Sequence, residues 1–181
     1  SEIDEFDSLI AKKIKDKELP PPALENVEDP QFNDIVKKDE TLYISACNAK
    51  SIYKIENDSL QLAYKGSLSR PNGLLFRNDS LFVMNSKSQD LKVISKDEQL
   101  TTLTKDIGAG DGITKLNKDE LIVSDWNGQL FYIDQKFNKK LLLDTQKEGF
   151  NSADIQYFED RNLLLVPTFS GNTVAAYRIK K

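Results

Sequence analysis

The sequence has no histidine and only one cysteine, one tryptophan and one methionine among its 181 residues. Without histidine there is no Ser-His-Asp triad, no Cys-His dyad and no imidazole ligand for a metal. The single cysteine, Cys47, cannot form an internal disulfide, and one thiolate cannot build a zinc site. Any chemistry in this chain therefore uses carboxylates, amides, lysine, tyrosine or a metal held by oxygen atoms.

Long apolar runs and basic clusters are also missing from the sequence. No run of 18 or more apolar residues occurs, so we expect no membrane-spanning helix. The 25 basic residues are scattered among 29 acidic ones, and the absence of a basic stripe argues against a nucleic-acid partner. The composition, 39% hydrophobic and 30% charged, predicts a globular domain. The compartment is left open between cytoplasm, periplasm and a secreted location.

Short apolar runs recur along the chain at a nearly constant interval. Four of them begin at Leu42, Leu81, Leu121 and Leu163, which are 39, 40 and 42 residues apart. Each follows a polar turn and precedes a second run of β-type composition, and a further run opens each unit. Three of the units add an outer run, while the last unit ends before one. Four strands in about 40 residues is the period of a β-propeller blade.

The sequence therefore predicts an all-β fold, a β-propeller with four-stranded blades, of which three and a half to four are present. The blades are predicted at 32–68, 71–107 and 110–146, with a last blade at 153–181 that lacks its outer strand. A β-sandwich would also give short, evenly spaced strands. It would not readily repeat the same residue types at the same phase of every unit.

The N-terminal segment, 1–20, allows two interpretations. Ile3, Phe6, Ile10 and Ile14 follow helical spacing. The same segment also divides into two strands around a turn at Asp7-Ser8, and could then form the outer strands of a partial blade or close the ring.

The residues at the start of each unit carry a family resemblance. Arg70-Pro71-Asn72-Gly73-Leu74, Gly110-Asp111-Gly112-Ile113 and Phe32-Asn33-Asp34-Ile35 share one phase. Together with Ser124 to Leu130 and Leu164 to Thr168, they resemble the gluconolactonase and regucalcin (senescence marker protein) family of six-bladed propellers. The resemblance covers Phe32 to Tyr177 and favours the strand interpretation of 1–20. It implies that about one and a half blades of the family's ring are not in this sequence.

The resemblance implies a divalent metal in the central channel, held here by Asn72 and Asp111. It also implies that Asn33 and Asp34 contact substrate or water. The family's glutamate ligand has no counterpart in this sequence, which leaves only two metal positions that transfer. A ring short of blades is expected to exist as a fragment, as one half completed by a second chain or a dimer, or as a closed ring of four blades.

The residues alone support a channel site independently of the resemblance. In a propeller the first residues of the innermost strands face one end of the channel, and those positions hold Asn33, Asp34, Asn72, Asp111 and Asp154. Oxygen ligands of this kind suit Ca²⁺, Mg²⁺ or Mn²⁺, and Zn²⁺ through carboxylates. The same residue types also favour tight turns, so a purely structural role stays open.

Two functions follow as hypotheses. In the first, the propeller binds a divalent metal and a small hydroxylated or lactone-type molecule and hydrolyses it, with Asp111 or Asp154 as general base. Trp126 is a candidate for lining the ligand site, although a tryptophan near the end of a strand more often packs between blades. In the alternative, a non-catalytic propeller presents its loops to a protein or glycan partner.

Overall fold

The structure, a computed structural model, describes residues 29–180 as four antiparallel sheets with two short 3-10 helices. The sheets are the blades of a β-propeller, which confirms the predicted fold class. Both interpretations of the segment 1–20 fall outside the described residues. Within 29–180 no helix is long and apolar enough to cross a membrane.

Each blade is built from consecutive strands that pair in chain order. Blade 1 contains β1 (Phe32–Lys38), β2 (Thr41–Ala46), β3 (Ser51–Glu56) and β4 (Ser59–Lys65). Blade 2 contains β5 (Pro71–Arg77), β6 (Ser80–Asn85), β7 (Asp90–Ile94) and β8 (Leu100–Thr104). Blade 3 contains β9 (Gly110–Lys115), β10 (Leu121–Asp125), β11 (Gln129–Ile133) and β12 (Lys139–Asp144).

Blade 4 has three strands in the described part of the chain. They are β13 (Gln156–Phe158), β14 (Leu163–Thr168) and β15 (Thr173–Arg178). The 3-10 helices Glu159–Arg161 and Phe169–Gly171 connect them, and each ends at an asparagine in the left-handed region. Because β13 is shorter than the predicted strand from Asp154 to Phe158, Asp154 lies in the segment that leads into the blade.

The blades pack face to face through the apolar residues of the repeating runs. Ile52, Leu81 and Val83 belong to the cluster between blades 1 and 2. Met84, Leu91 and Val123 are among the residues between blades 2 and 3, and Ile122, Leu164 and Val166 are among those between blades 3 and 4. The innermost strands of successive blades are in contact, β1 with β5, β5 with β9 and β9 with β13. This packing brings the first residues of the four units to one axis.

A β-bulge interrupts the innermost strand of the first three blades at the same phase. The pairing of β1 with β2 skips Asn33 and Asp34, that of β5 with β6 skips Asn72 and Gly73, and that of β9 with β10 skips Asp111 and Gly112. A bulge leaves the extra residue out of the ladder and redirects its side chain. Serine hydroxyls hold two of the bulges: Ser45 Oγ accepts from the Asp34 amide at 2.9 Å, and Ser124 Oγ from the Gly112 amide at 2.7 Å.

Among residues 29–180, no other blade packs on one face of blade 4, which we call its open face. Leu164 and Val166 point toward blade 3 and are buried, while Leu165 and Pro167 alternate with them on the other face. On that face Val174 of β15 pairs with Pro167 and is 60% exposed. The open face adjoins the central channel, since Leu165, Pro167 and Val174 line the cavity there.

Candidate functional site

The central channel contains a cavity of about 730 Å³ that all four blades line. Asp34 of blade 1 and Asp154 of blade 4 supply carboxylates to its wall, whereas Leu74, Ile113 and Leu165 supply aliphatic surface. A cavity of this volume accommodates a small organic molecule. We call the group of Asp34, Asn72, Asp111 and Asp154, at the start of the innermost strands, the axial site.

Asn72 and Asp111 form the buried half of the axial site. Each is 8% exposed, and Asn72 Nδ2 donates a hydrogen bond of 2.5 Å to Asp111 Oδ1. The bulges in β5 and β9 place the two side chains together, as the common phase predicted. Asn72 Oδ1 is buried and has no hydrogen-bond partner among the described residues. A buried acceptor without a donor is costly, so this oxygen is suited to a ligand that supplies positive charge or a proton.

Asp34 links blade 1 to blade 2 through its carboxylate. Its Oδ2 accepts from the Leu74 amide at 2.6 Å, and its Oδ1 accepts from the Ile35 amide at 2.7 Å. Burial raises the pKa of Asp34 to about 6, and the negative charge of Asp154 adds to the rise. Asp34 therefore has a positioning role in the structure, in addition to the ligand contact that the sequence predicts for it.

The three carboxyl groups of the axial site influence one another. Burial raises the pKa of Asp111 to about 7; the charges of Asp154 and Asp34 add to the rise, and the hydrogen bond from Asn72 opposes it. Burial also raises the pKa of Asp154, although part of that residue stays in contact with solvent. Mutual repulsion of this kind favours protons or a bound cation.

Within residues 29–180, no three carboxylate or cysteine side chains approach closely enough to share one metal ion. The pair of side chains that bears on the predicted metal is therefore Asn72 and Asp111. Those are the two positions that the family resemblance implies, and they are in contact here.

Asn33 lies outside the axial site, on the exposed side of the β1 bulge. Its side chain forms a hydrogen bond with the thiol of Cys47, and Cys47 Sγ also donates to the Pro71 carbonyl at 2.9 Å. Burial raises the pKa of the Cys47 thiol, which keeps it protonated and unreactive. A contact between Asn33 and a substrate remains a prediction.

No protein-family model and no curated protein matches this chain in sequence. Solved structures resemble it nonetheless. Virginiamycin B lyase from Staphylococcus aureus aligns with 84% of this chain and 57% of its own, at 15% identity and a TM-score of 0.63. Hydrazine synthase from Kuenenia stuttgartiensis aligns with 84% of this chain and 47% of its own, at 15% identity and a TM-score of 0.67. The computationally designed Ika4 protein aligns with 86% of this chain and 95% of its own, at 16% identity and a TM-score of 0.62.

These likenesses show a shared propeller fold. At such identities they carry no activity across to this chain. The chain spans little more than half of the lyase that it resembles. The gluconolactonase resemblance stays a hypothesis that rests on the residues of the axial site.

Trp126, which follows β10, is not among the residues that line the large cavity. Its ring packs on Phe169, with 5.2 Å between the ring centroids. Its carbonyl accepts from the Ser152 amide and from Asn151 Nδ2, in the segment that leads to Asp154. Contact between Trp126 and a ligand in the channel stays a prediction.

A second, smaller cavity of about 270 Å³ adjoins the channel, and the sequence analysis missed it. Ala153, Pro167, Phe169 and Val174 form its apolar wall, which we call the apolar cleft. Phe169 is 71% exposed although it is one of the largest apolar side chains in the blade. The sequence does contain a signal for the apolar cleft, since apolar residues occupy both faces of β14 and β15. A strand that is covered on only one side alternates polar and apolar residues.

Asp154→Asn is expected to stabilise the protein at about pH 8 and to have little effect near pH 4. A carboxyl group whose pKa is raised on folding destabilises the folded state once it ionises. The penalty is absent below the ordinary pKa of 3.8, grows as the pH rises toward the raised pKa values of about 6 for Asp34 and about 7 for Asp111, and is complete above them. Removing the charge of Asp154 should reduce the ionisation penalty of Asp34 and Asp111 by about 1 kcal/mol. The value is small because solvent screens the charge of an exposed side chain.

The measurement is the melting temperature of the variant and of wild type at both pH values. Asp97→Asn, on an exposed turn, is the matched control and should change neither melting temperature. Equal effects of Asp154→Asn at the two pH values would show that its charge does not act on Asp34 and Asp111.

Proposed function

We propose that this propeller binds a divalent cation, Ca²⁺, Mn²⁺, Mg²⁺ or Zn²⁺, and a small hydroxylated or lactone-type molecule at the axial site, and that it hydrolyses the lactone. The observation that carries the proposal is the Asn72–Asp111 pair, with its buried and unpartnered amide oxygen beside a carboxyl group. Its chemistry matches the gluconolactonase and regucalcin resemblance at the two positions that transfer.

The donor set fits a hard cation. Asn72 Oδ1 is a neutral oxygen, Asp111 supplies charge, and both ligand types are common for Ca²⁺ and Mg²⁺. Positive charge at this point also relieves the repulsion that raises the pKa of Asp111 to about 7. Two protein ligands are few, so water completes the coordination in this proposal. A bound cation would supply polarisation of the lactone carbonyl.

Asp154 and the apolar residues of the cavity have separate roles in the proposed hydrolysis. Asp154 lines the cavity wall, and burial raises the pKa of its carboxyl group above the ordinary value, so its carboxylate is the group that accepts a proton from the attacking water. The water oxygen adds to the lactone carbonyl carbon, the ring C–O bond breaks, and Asp154 returns the proton to the leaving alkoxide oxygen. The product is the open-chain hydroxy acid. Leu74 and Ile113 give the same cavity an apolar wall, which limits the access of bulk water.

Asp154→Asn is expected to lower the rate of lactone ring opening by at least about 100-fold, the usual contribution of a general base. The rate is measured by proton release in the presence of each candidate cation and again after chelation. Asp97→Asn should keep the wild-type rate. Ring opening that survives both Asp154→Asn and chelation would contradict the proposed mechanism.

The second candidate function is a non-catalytic scaffold that presents its surface to a protein or glycan partner, or that pairs with a second chain to complete the ring. The open face of blade 4, with Val174 60% exposed, favours it. A solution size measurement distinguishes the two. A monomer with cation-dependent ring opening supports the enzyme, and a dimer or a co-purifying chain without hydrolysis supports the scaffold.

A further inference from the structure

We infer that the molecule bound at the axial site carries an apolar substituent, a short alkyl chain or an aromatic ring, which occupies the apolar cleft. The inference rests on the proposed function and extends it by naming the class of substrate. The expected ligand is an alkyl-substituted lactone, in place of a sugar lactone whose surface is covered by hydroxyl groups.

The cleft and the channel form one continuous surface. Pro167 and Val174 line both the large cavity and the small one. Ala153, at the base of the cleft, directly precedes Asp154 in the chain, and its amide donates to the Pro167 carbonyl at 3.1 Å. A ligand whose polar ring reaches Asp154 can therefore extend a substituent along Pro167 and Val174 into the cleft. Because the two cavities are continuous, we infer that a substituent of the bound ligand occupies the cleft.

The residues that line the cavity and the cleft favour an apolar substituent on the ligand over hydroxyl groups. In the large cavity, Ile35, Leu74, Ile113 and Leu165 supply apolar wall next to Asp34 and Asp154, and the wall from there into the cleft continues through Pro167 and Val174. Lys115, Gln156 and Glu159 add polar groups to the cavity lining. The oxygens of Asp34 already accept two backbone amides, so they offer limited hydrogen bonding to a polyol. Burial of each methylene group raises affinity roughly fourfold. A butyl group that is partly buried in the cleft should therefore strengthen binding by at least tenfold.

The protein contains its own reporter for the cleft. Trp126 is the only tryptophan in the sequence, and its ring packs on Phe169, which forms the cleft wall. A group that enters the cleft changes the environment of Phe169 and hence the emission of Trp126. Intrinsic fluorescence therefore follows occupancy of the cleft without a label.

The experiment compares two lactams, which keep the ring and carbonyl of a lactone but resist hydrolysis: pyrrolidinone and its butyl derivative. Both are titrated into wild type, Val174→Ser and Leu142→Ser, with Trp126 fluorescence and calorimetry as readouts. Leu142 is a matched control because it is an exposed leucine on β12, away from the cleft. We expect the butyl lactam to bind wild type and Leu142→Ser at least ten times more tightly than pyrrolidinone. We expect Val174→Ser to reduce that preference to less than threefold.

Each other outcome has a distinct meaning. Equal affinity of wild type for the two lactams overturns the inference and leaves the proposed function intact. If neither lactam binds in the presence of any candidate cation, both the inference and the proposed function fail. A dimer in solution that Val174→Ser converts to monomer, with no effect of the butyl lactam on the dimer, would show that a second copy of this chain covers the cleft, and this also overturns the inference.

Discussion

Gly73→Ala is expected to destabilise the propeller by about 3 kcal/mol or more, at the upper end of the cost of overpacking. A Cβ atom at this position would lie deep inside van der Waals contact with the Asp111 carbonyl oxygen, and close to the backbone of Gly112. Backbone atoms of a neighbouring innermost strand cannot rotate away as a side chain can. Most domains have only about 5–15 kcal/mol of stability, so this one methyl group removes a large part of it.

The measurement is the midpoint of denaturant unfolding, and Gly66→Ala is the control. A Cβ atom at Gly66 meets only the phenol end of Tyr64, a side chain that can move. We expect that variant to lose less than about 1 kcal/mol, because relocation of one flexible side chain is inexpensive. A similar small loss for Gly73→Ala would mean that β5 and β9 are not as close as described, and the contact between Asn72 and Asp111 would then be in doubt.

Asp111→Asn is expected to weaken the binding of divalent cations by at least about 100-fold, which is close to 2.7 kcal/mol. The substitution keeps the size of the side chain and an oxygen acceptor for Asn72, but it removes the charge that the cation requires. In wild type, a cation at 100 times its dissociation constant adds about 2.7 kcal/mol to the stability of the folded state. For a chain of this size the melting temperature should rise by about 5–10 °C.

Calorimetric titration and thermal unfolding with Ca²⁺, Mn²⁺, Mg²⁺ and Zn²⁺ measure this effect. Asp97→Asn serves as the control and should keep the wild-type affinity. A cation-dependent rise in melting temperature that persists in Asp111→Asn would place the binding site elsewhere in the protein.

The sequence was sufficient to predict the blades because a propeller repeats one pattern of burial. Leu81, Leu121 and Leu163 lie at the start of equivalent strands, each paired with the innermost strand of its blade on one side and the next strand on the other. A single run of this kind could belong to many folds, whereas four in register leave few alternatives. The same register predicted that Asn72 and Asp111 would meet, since each is the second residue of an innermost strand.

Other features of the site depend on geometry that no residue pattern expresses. The bulge at Asn33 and Asp34 directs Asp34 to the amides of Leu74 and Ile35, and sends Asn33 toward Cys47. The two residues are adjacent in sequence and have the same preference for turns, so their separate roles appear only in three dimensions. The unpartnered oxygen of Asn72 depends on which donors lie within reach, which sequence cannot specify.

The position of a bound cation tests the central claim most directly. A crystal soaked in Mn²⁺ gives an anomalous difference map that locates the ion without reference to any mutation. The account predicts a peak beside Asn72 Oδ1 and the Asp111 carboxylate, at the channel end where Asp34 and Asp154 lie. An ion bound at an outer strand, or no peak in a crystal at a manganese concentration that saturates binding in solution, would contradict it.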